Sequence, residues 1–180
     1  MKLIAKPASG EFAPYTSIYI DLLPNDGRIL QHLATNLQNS STFFRSIPPE
    51  KLTTPHRQGE WTVQEILLHI IDDERIFAYR ALRFARGDTT TLPGFEQDDY
   101  ILPSRANQRS LASLLTEFGT VRQATLSLYN SFGQDVLTNT GVASNNPMSV
   151  RAIAYHIAGH ELHHIASIRE NYLSSGVDII

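Results

Sequence analysis

The sequence predicts an all-α protein, a four-helix bundle with long connections and an extended N-terminal arm. Two observations carry this reading. Four segments repeat apolar residues at helical spacing and end at proline or glycine signals. No segment shows a convincing strand-like alternation. A chain of 180 residues suits one domain with one substantial core. We divide it into an arm over residues 1–24 and a bundle domain over residues 25–180.

The arm carries Pro7, Gly10, Pro14 and Pro24, which favour extended chain lying on the body. The first helix is expected from about Asn25 to Ser46, with Ile29, Leu30, Leu33, Leu37 and Phe44 on one face; Pro48 and Pro49 end it. The second has the clearest start in the chain. Thr62 is a good N-cap, Glu65 completes a capping box, and Trp61 and Ile66 flank it as a hydrophobic staple. It continues to Arg86, with Gly87 placed for a C-cap, so it is roughly 37 Å long. A connection over residues 88–106 follows. The third helix runs from about Ser104 or Asn107 to Phe132 and stops at Gly133. The segment Thr138–Pro147 reads as a polar loop. The fourth helix starts on Ser149 as N-cap and ends near Ser174, with Gly176 beyond it.

Composition narrows the function. The net charge is −3 and no basic run is present, so electrostatics gives no reason to expect a nucleic-acid partner. No apolar run approaches the roughly 20 residues that span a membrane, and the N-terminus lacks the apolar stretch of a signal peptide. The expected location is cytoplasmic. The absence of cysteine excludes disulfides, thiolate metal sites and a cysteine nucleophile together.

Four of the seven histidines, His156, His160, His163 and His164, fall within nine residues. Each helical residue advances about 100°, so with His156 as origin His160 and His164 lie at roughly 40° and 80°. Ile153, Ile157 and Ile168 fall at roughly 60°, 100° and 120°, so the two histidines share the core-facing stripe. A lone histidine on such a face is most often a hydrogen-bonded core residue. Burying two at i and i+4 leaves several polar atoms to satisfy, and a metal ion takes one nitrogen from each. Both readings stand on spacing alone. His69 lies mid-way along the second helix at the edge of its apolar stripe, with Asp73 one turn on. Asp73 can orient an imidazole, hold a metal-bound water, or pair with Arg80 or Arg83. His32 and His56 have no partner at useful spacing and read as structural or exposed. The run His160-Glu161-Leu162-His163-His164 also fits H-E-x-x-H, with Glu161 as water-activating base. Against a zincin, only 16 residues follow His164, none is a histidine, and Glu170 is too close to fold back.

The segments Trp61–Arg75 and His156–Ile165 resemble the second- and fourth-helix signatures of the DinB/YfiT-like superfamily, and Gly10–Tyr15 with Leu22–Asp26 resemble the arm of one branch. The resemblance implies a four-helix bundle with a three-histidine metal site. Its second-helix ligand, eight residues after the tryptophan, falls on His69, and its fourth-helix pair falls on His160 and His164. It also implies a possible homodimer.

Three neutral imidazoles leave at least one position of a divalent ion open, normally to water, which becomes far more acidic. Without a thiolate the expected ion is Zn, Ni, Fe or Mn. The resemblance implies a metal-dependent hydrolase acting on a small-molecule substrate, which suits this metal-bound water. Two alternatives stay open: a metal-assisted transferase of a low-molecular-weight thiol, and a non-catalytic metal-stabilised binding or stress protein. Glu161 and Asp73 are the nearest carboxylates for proton transfer or for orienting a ligand, and each can equally be a salt-bridge partner within the bundle. An enzyme further requires a solvent pocket that reaches the metal, lined in part by the connections at 48–60 and 88–106.

Overall fold

The computed structural model describes residues 2–173; the expected fourth-helix end at Ser174 and Gly176 lie outside the described residues. In chain order the regular elements are α1 (Ser17–Ile20), α2 (Ile29–Ser46), α3 (Pro49–Leu52), α4 (Val63–Ala85), α5 (Gln97–Ser104), α6 (Leu111–Ser131), β1 (Thr140–Ala143), β2 (Asn146–Ser149) and α7 (Val150–Ile168), with a π-helical turn over Arg169–Leu173. The four long helices α2, α4, α6 and α7 form the bundle. Each of α6 and α7 packs against both α2 and α4. Gln64 at the start of α4 donates to the Arg109 carbonyl just before α6, so these two helices run parallel. Phe77, late in α4, stacks on His156, early in α7, so that pair runs antiparallel.

The strongest local signals act where they stand in the sequence. The Glu65 amide donates to the Thr62 hydroxyl and the Thr62 amide to the Glu65 carboxylate, at 3.2 and 2.8 Å, closing the capping box of α4. Gly87 ends that helix with φ +74°, a conformation that costs glycine little. Ser110 and Ser149 cap α6 and α7 by accepting the amides of Ser113 and Ala152. Other boundaries moved. Asp26 accepts the Arg28 amide and holds a turn, so α2 begins at Ile29 rather than Asn25. The segment at 97–104 forms its own helix, and α6 begins only at Leu111.

The loop expected at Thr138–Pro147 is in part a β-hairpin. Strands β1 and β2 pair antiparallel, Thr140 opposite Ser149, across Ser144 and Asn145, which both have positive φ as a tight hairpin turn requires. Four-residue strands holding Gly141 and Pro147 carry little alternation. Their stability comes from outside: Phe12 of the arm bridges Met148, and Leu92 bridges Ala143 on the opposite edge. The arm is likewise not wholly extended. Residues Pro14–Thr16 make a 3₁₀ turn that leads into α1, which crosses α7. The crossing is close because residue 159 is glycine: a Cβ there would stand 2.1 Å from the Tyr19 carbonyl oxygen.

The apolar core comes in two parts. One gathers Ile29, Leu33, Phe84, Tyr129, Ile153 and Ile157; the other gathers Leu37, Phe44, Leu67, Phe118, Ile165 and Ile168. Every long helix contributes to both, and at the changeover each carries buried polar residues: Asn36 and Ser40, Asp73 and Glu74, Arg122 and Thr125, His160 and Glu161. Arg122 is fully buried and donates to Glu74 (2.9 Å), Glu161 (2.8 Å) and the Leu33 carbonyl (2.8 Å). Among the described residues no helix is long and apolar enough to cross a membrane.

Two outcomes follow from these contacts. Arg122→Met leaves two carboxylates buried without their cation and is expected to cost about 3–5 kcal/mol of stability in denaturant titration. Glu11 ties the arm to the start of α7, with its backbone oxygen accepting the Ser149 amide and its carboxylate accepting from Ser149 and Arg151. The Arg151 hydrogen bond holds the Glu11 carboxyl down at about 2, below its usual 4.5. Its contribution is therefore present above pH 4.5 and lost as pH falls towards 2. The melting-temperature gap between wild type and Glu11→Gln should be constant at neutral pH and close over that acid window.

Candidate metal centre

Helices α4 and α7 bring His69, His160 and His164 to one point. His69 Nε2 lies 3.1 Å from His160 Nε2, and His164 Nε2 lies 3.0 Å from the same atom. The three candidate ligand atoms all fall within 4.8 Å of one another. His69 and His160 are buried, whereas His164 is part-exposed. Helical spacing puts His160 and His164 on one arc of α7, and the antiparallel packing of α4 delivers His69 across from them. Trp61, at the staple position, packs edge-on against the His69 ring with centroids 5.0 Å apart and limits its rotation.

Hydrogen bonding alone does not account for this cluster. Asp73 Oδ2 lies 3.4 Å from His160 Nδ1, so that nitrogen is assigned the proton and His160 Nε2 presents a bare lone pair. One lone pair cannot accept in line from both His69 and His164. A divalent cation satisfies all three. Tetrahedral ligation at about 2.1 Å places nitrogens roughly 3.4 Å apart, close to the spacings found. The donors are also in the required protonation state. Burial lowers the His69 pKa and drives that of His160 well down, in both cases against the pull of Asp73. Burial, helped by His69, pushes His164 down to about 3. All three are neutral at physiological pH, as ligation demands.

Asp73 supports the cluster from behind and does not pair with Arg80 or Arg83. Arg83 pairs with Asp88, and Arg80 donates to the Pro93 carbonyl and the Ser144 hydroxyl. Burial would raise the Asp73 pKa, but His160 and His156 outweigh it and hold the group ionised. His156 approaches the same oxygen at 3.3 Å through Nε2 and is sandwiched between Phe77 and His160, with centroids 3.9 and 5.4 Å away. On the wheel it sits at the flank of the arc, and it proves to be buried beside the cluster. Spacing could have marked it, since it stands one turn before His160. Tyr19 of α1 meets the rings of His156, His160 and His163 edge-on at 5.1–5.3 Å, a contact between distant segments that no periodicity reveals. His163 is exposed. His32 pairs with Asp26 at the surface.

Glu161 is not a base at this site. It points about 100° round the helix from His160. Its fully buried carboxylate accepts from Ser40 and Arg122 in the bundle interior, and burial raises its pKa. The H-E-x-x-H run is therefore a coincidence of two unrelated faces.

An open cleft of about 550 Å³ reaches the cluster at His164. Its walls include His56, Glu60 and Trp61 from the connection before α4, Asp98 from α5, and Asn171 and Tyr172 after α7. His56, which the sequence offered no partner, stands here with its ring 4.8 Å from that of Tyr172.

The profile of the DinB superfamily matches residues 32–168. The chain belongs to the DinB superfamily. Among relatives of this DinB chain, a protein of Oceanobacillus iheyensis, provisionally described as a metal-dependent hydrolase, is 25% identical over 142 residues, covering 78% of this chain and 81% of that one. Among solved structures, YfiT from Bacillus subtilis, described as a probable metal-dependent hydrolase with an unusual four-helix bundle topology, superposes with a TM-score of 0.67 at 16% identity. The match covers 93% of this chain and 91% of YfiT and shows a shared fold.

Alanine at His69, His160 or His164 is expected to abolish stoichiometric metal uptake, while His163→Ala keeps it, as read by elemental analysis after reconstitution. Asp73→Asn should retain the site with affinity reduced about 10- to 100-fold.

Proposed function

We propose that this DinB-superfamily protein is a metal-dependent hydrolase that binds one divalent ion through His69, His160 and His164 and takes a small-molecule substrate in the adjoining cleft. The observation that carries the reading is the convergence of three neutral imidazole nitrogens at the wall of a solvent-open cavity. A buried structural site would have no need of such access. The provisional description of the Oceanobacillus relative agrees with it.

The chain's own contribution is positional. Asp73, with Oδ2 3.4 Å from His160 Nδ1, favours the proton there and so leaves the Nε2 lone pair for a metal ion. Trp61 fixes the His69 ring. His164 is the member of the three that lines the cleft, so a substrate entering from solvent meets the cluster there. The nitrogen-only donor set suits Zn, Ni, Fe or Mn. Such an ion supplies Lewis acidity and lowers the pKa of a water, which is the chemistry hydrolysis requires. With Glu161 committed to Arg122, the carboxylates that face the cleft are Glu60 and Asp98, and these are the groups placed to exchange a proton with bound substrate.

The test is a panel of carboxylic esters, amides and thiol adducts offered to metal-loaded, chelator-stripped and reloaded protein, with His164→Ala alongside. We expect turnover of at least one ester or amide that is lost on stripping, restored on reloading and absent in the variant. Turnover that persists equally in His164→Ala would remove the cluster from the chemistry. Turnover only with an added low-molecular-weight thiol would replace hydrolysis by thiol transfer.

A further inference from the structure

Arg80 is a buried cation that the proposed hydrolysis does not use. It lies on α4, seven residues after Asp73 and eleven after His69, and is 5% exposed. Its guanidinium carbon stands 4.7 Å from the centre of the Phe77 ring and 5.8 Å from that of Phe95. Nη2 donates to the Pro93 carbonyl at 3.3 Å and the Ser144 hydroxyl at 3.1 Å. Among the described residues no carboxylate pairs with it, whereas the fully buried Arg122 has two. A guanidinium has five N–H donors. The pair on Nη2 is engaged, and those on Nη1 and Nε have no protein acceptor, yet neither atom is sealed in the interior. Donors that open towards accessible space on a largely buried guanidinium are placed to meet an anionic ligand.

The completing space is present. A cavity of about 180 Å³ adjoins the side chain, walled by Ile76, Tyr79, Leu92, Phe95 and Tyr100 with Arg80. No second lysine or arginine lines it. We infer that this cavity binds a small monocarboxylate with an apolar body, its carboxylate on the Arg80 guanidinium and its body against Phe95 and Tyr100. The planar fork of arginine matches the two oxygens of a carboxylate. One positive charge balances one negative charge, while a phosphate dianion would bring a second charge with no second cation. The largely apolar walls favour an organic body over a bare inorganic ion. Eleven helical residues separate Arg80 from His69, about 16 Å along α4, so the cavity is distinct from the histidine cluster.

The test is calorimetric titration of benzoate, with benzyl alcohol and inorganic phosphate as controls, into wild type, His164→Ala, Arg80→Met and Arg80→Lys. Because a carboxylate could also reach a metal ion, His164→Ala separates the two sites, and the result stands whether or not the hydrolase reading does. We expect saturable benzoate binding of equal affinity in wild type and His164→Ala, at least tenfold weaker in Arg80→Met, with no saturable binding of either control. Should Arg80→Met fail to fold, Arg80→Lys, which keeps the charge and loses the fork, is expected to weaken binding severalfold. Tyr100→Ala, at a wall residue 46% exposed, should do the same without disturbing the core. The inference is overturned if wild type shows no saturable binding, or if the Arg80 variants bind as wild type does. Loss in His164→Ala alone, or equal binding of benzyl alcohol or phosphate, overturns it as well.

Discussion

Arg122 crosses the centre of the bundle with no exposure to solvent, and the carboxylates that neutralise it come from the two helices that carry the histidines. Glu74 stands five residues after His69, and Glu161 directly follows His160. One guanidinium therefore grips α4 and α7 at the level where they must be in register, while its bond to the Leu33 carbonyl adds α2. A slip of one helical turn between α4 and α7, about 5.4 Å, would draw at least one of the two buried carboxylates away from Arg122 and would carry His69 away from His160. Apolar packing sets which faces meet but discriminates weakly between neighbouring registers. The ion-pair cluster supplies that discrimination, and the geometry of the histidines depends on it.

The cluster also explains why the apolar core is divided. A belt of buried polar groups interrupts it at mid-height, costing the protein hydrophobic contact there. The belt is arranged in two halves. The half around Arg122 is closed, with Glu74 and Glu161 both bonded to its guanidinium and every nitrogen of that group donating. The half around His69, His160 and His164 opens to the cleft, and its lone pairs converge without a cation of the protein's own. Asp73 lies behind this second half, where its Oδ2, 3.4 Å from His160 Nδ1, favours the proton on that nitrogen. The arm closes the outer side, brought close by the absent side chain at Gly159 so that Tyr19 covers three of the histidine rings.

Much of this was legible in the chain itself, wherever the signal was local. The capping box at Thr62 and Glu65 and the serine cap at Ser149 depend on a few neighbouring residues, and the i, i+4 spacing of His160 and His164 on an apolar stripe is equally local. His69 was marginal on the wheel because its burial depends on α7, and the family resemblance supplied it. Long-range constraints were hidden. The hairpin at residues 140–149 exists because Phe12 and Leu92 flank it, and Glu161 appeared to belong to a metalloprotease motif because its partner, Arg122, is 39 residues away in sequence. Buried charges leave no periodic trace, so spacing does not mark Arg122, Glu74 or Arg80 as interior residues until the helices are assembled.

Anomalous diffraction from crystals of the metal-reconstituted protein, collected on either side of the absorption edge of the added ion, tests the account most directly. The account predicts one strong peak per chain, within about 2.0–2.2 Å of the Nε2 atoms of His69, His160 and His164. A peak held by Asp73 and His156 instead, or no peak between α4 and α7 at full occupancy elsewhere, would contradict it.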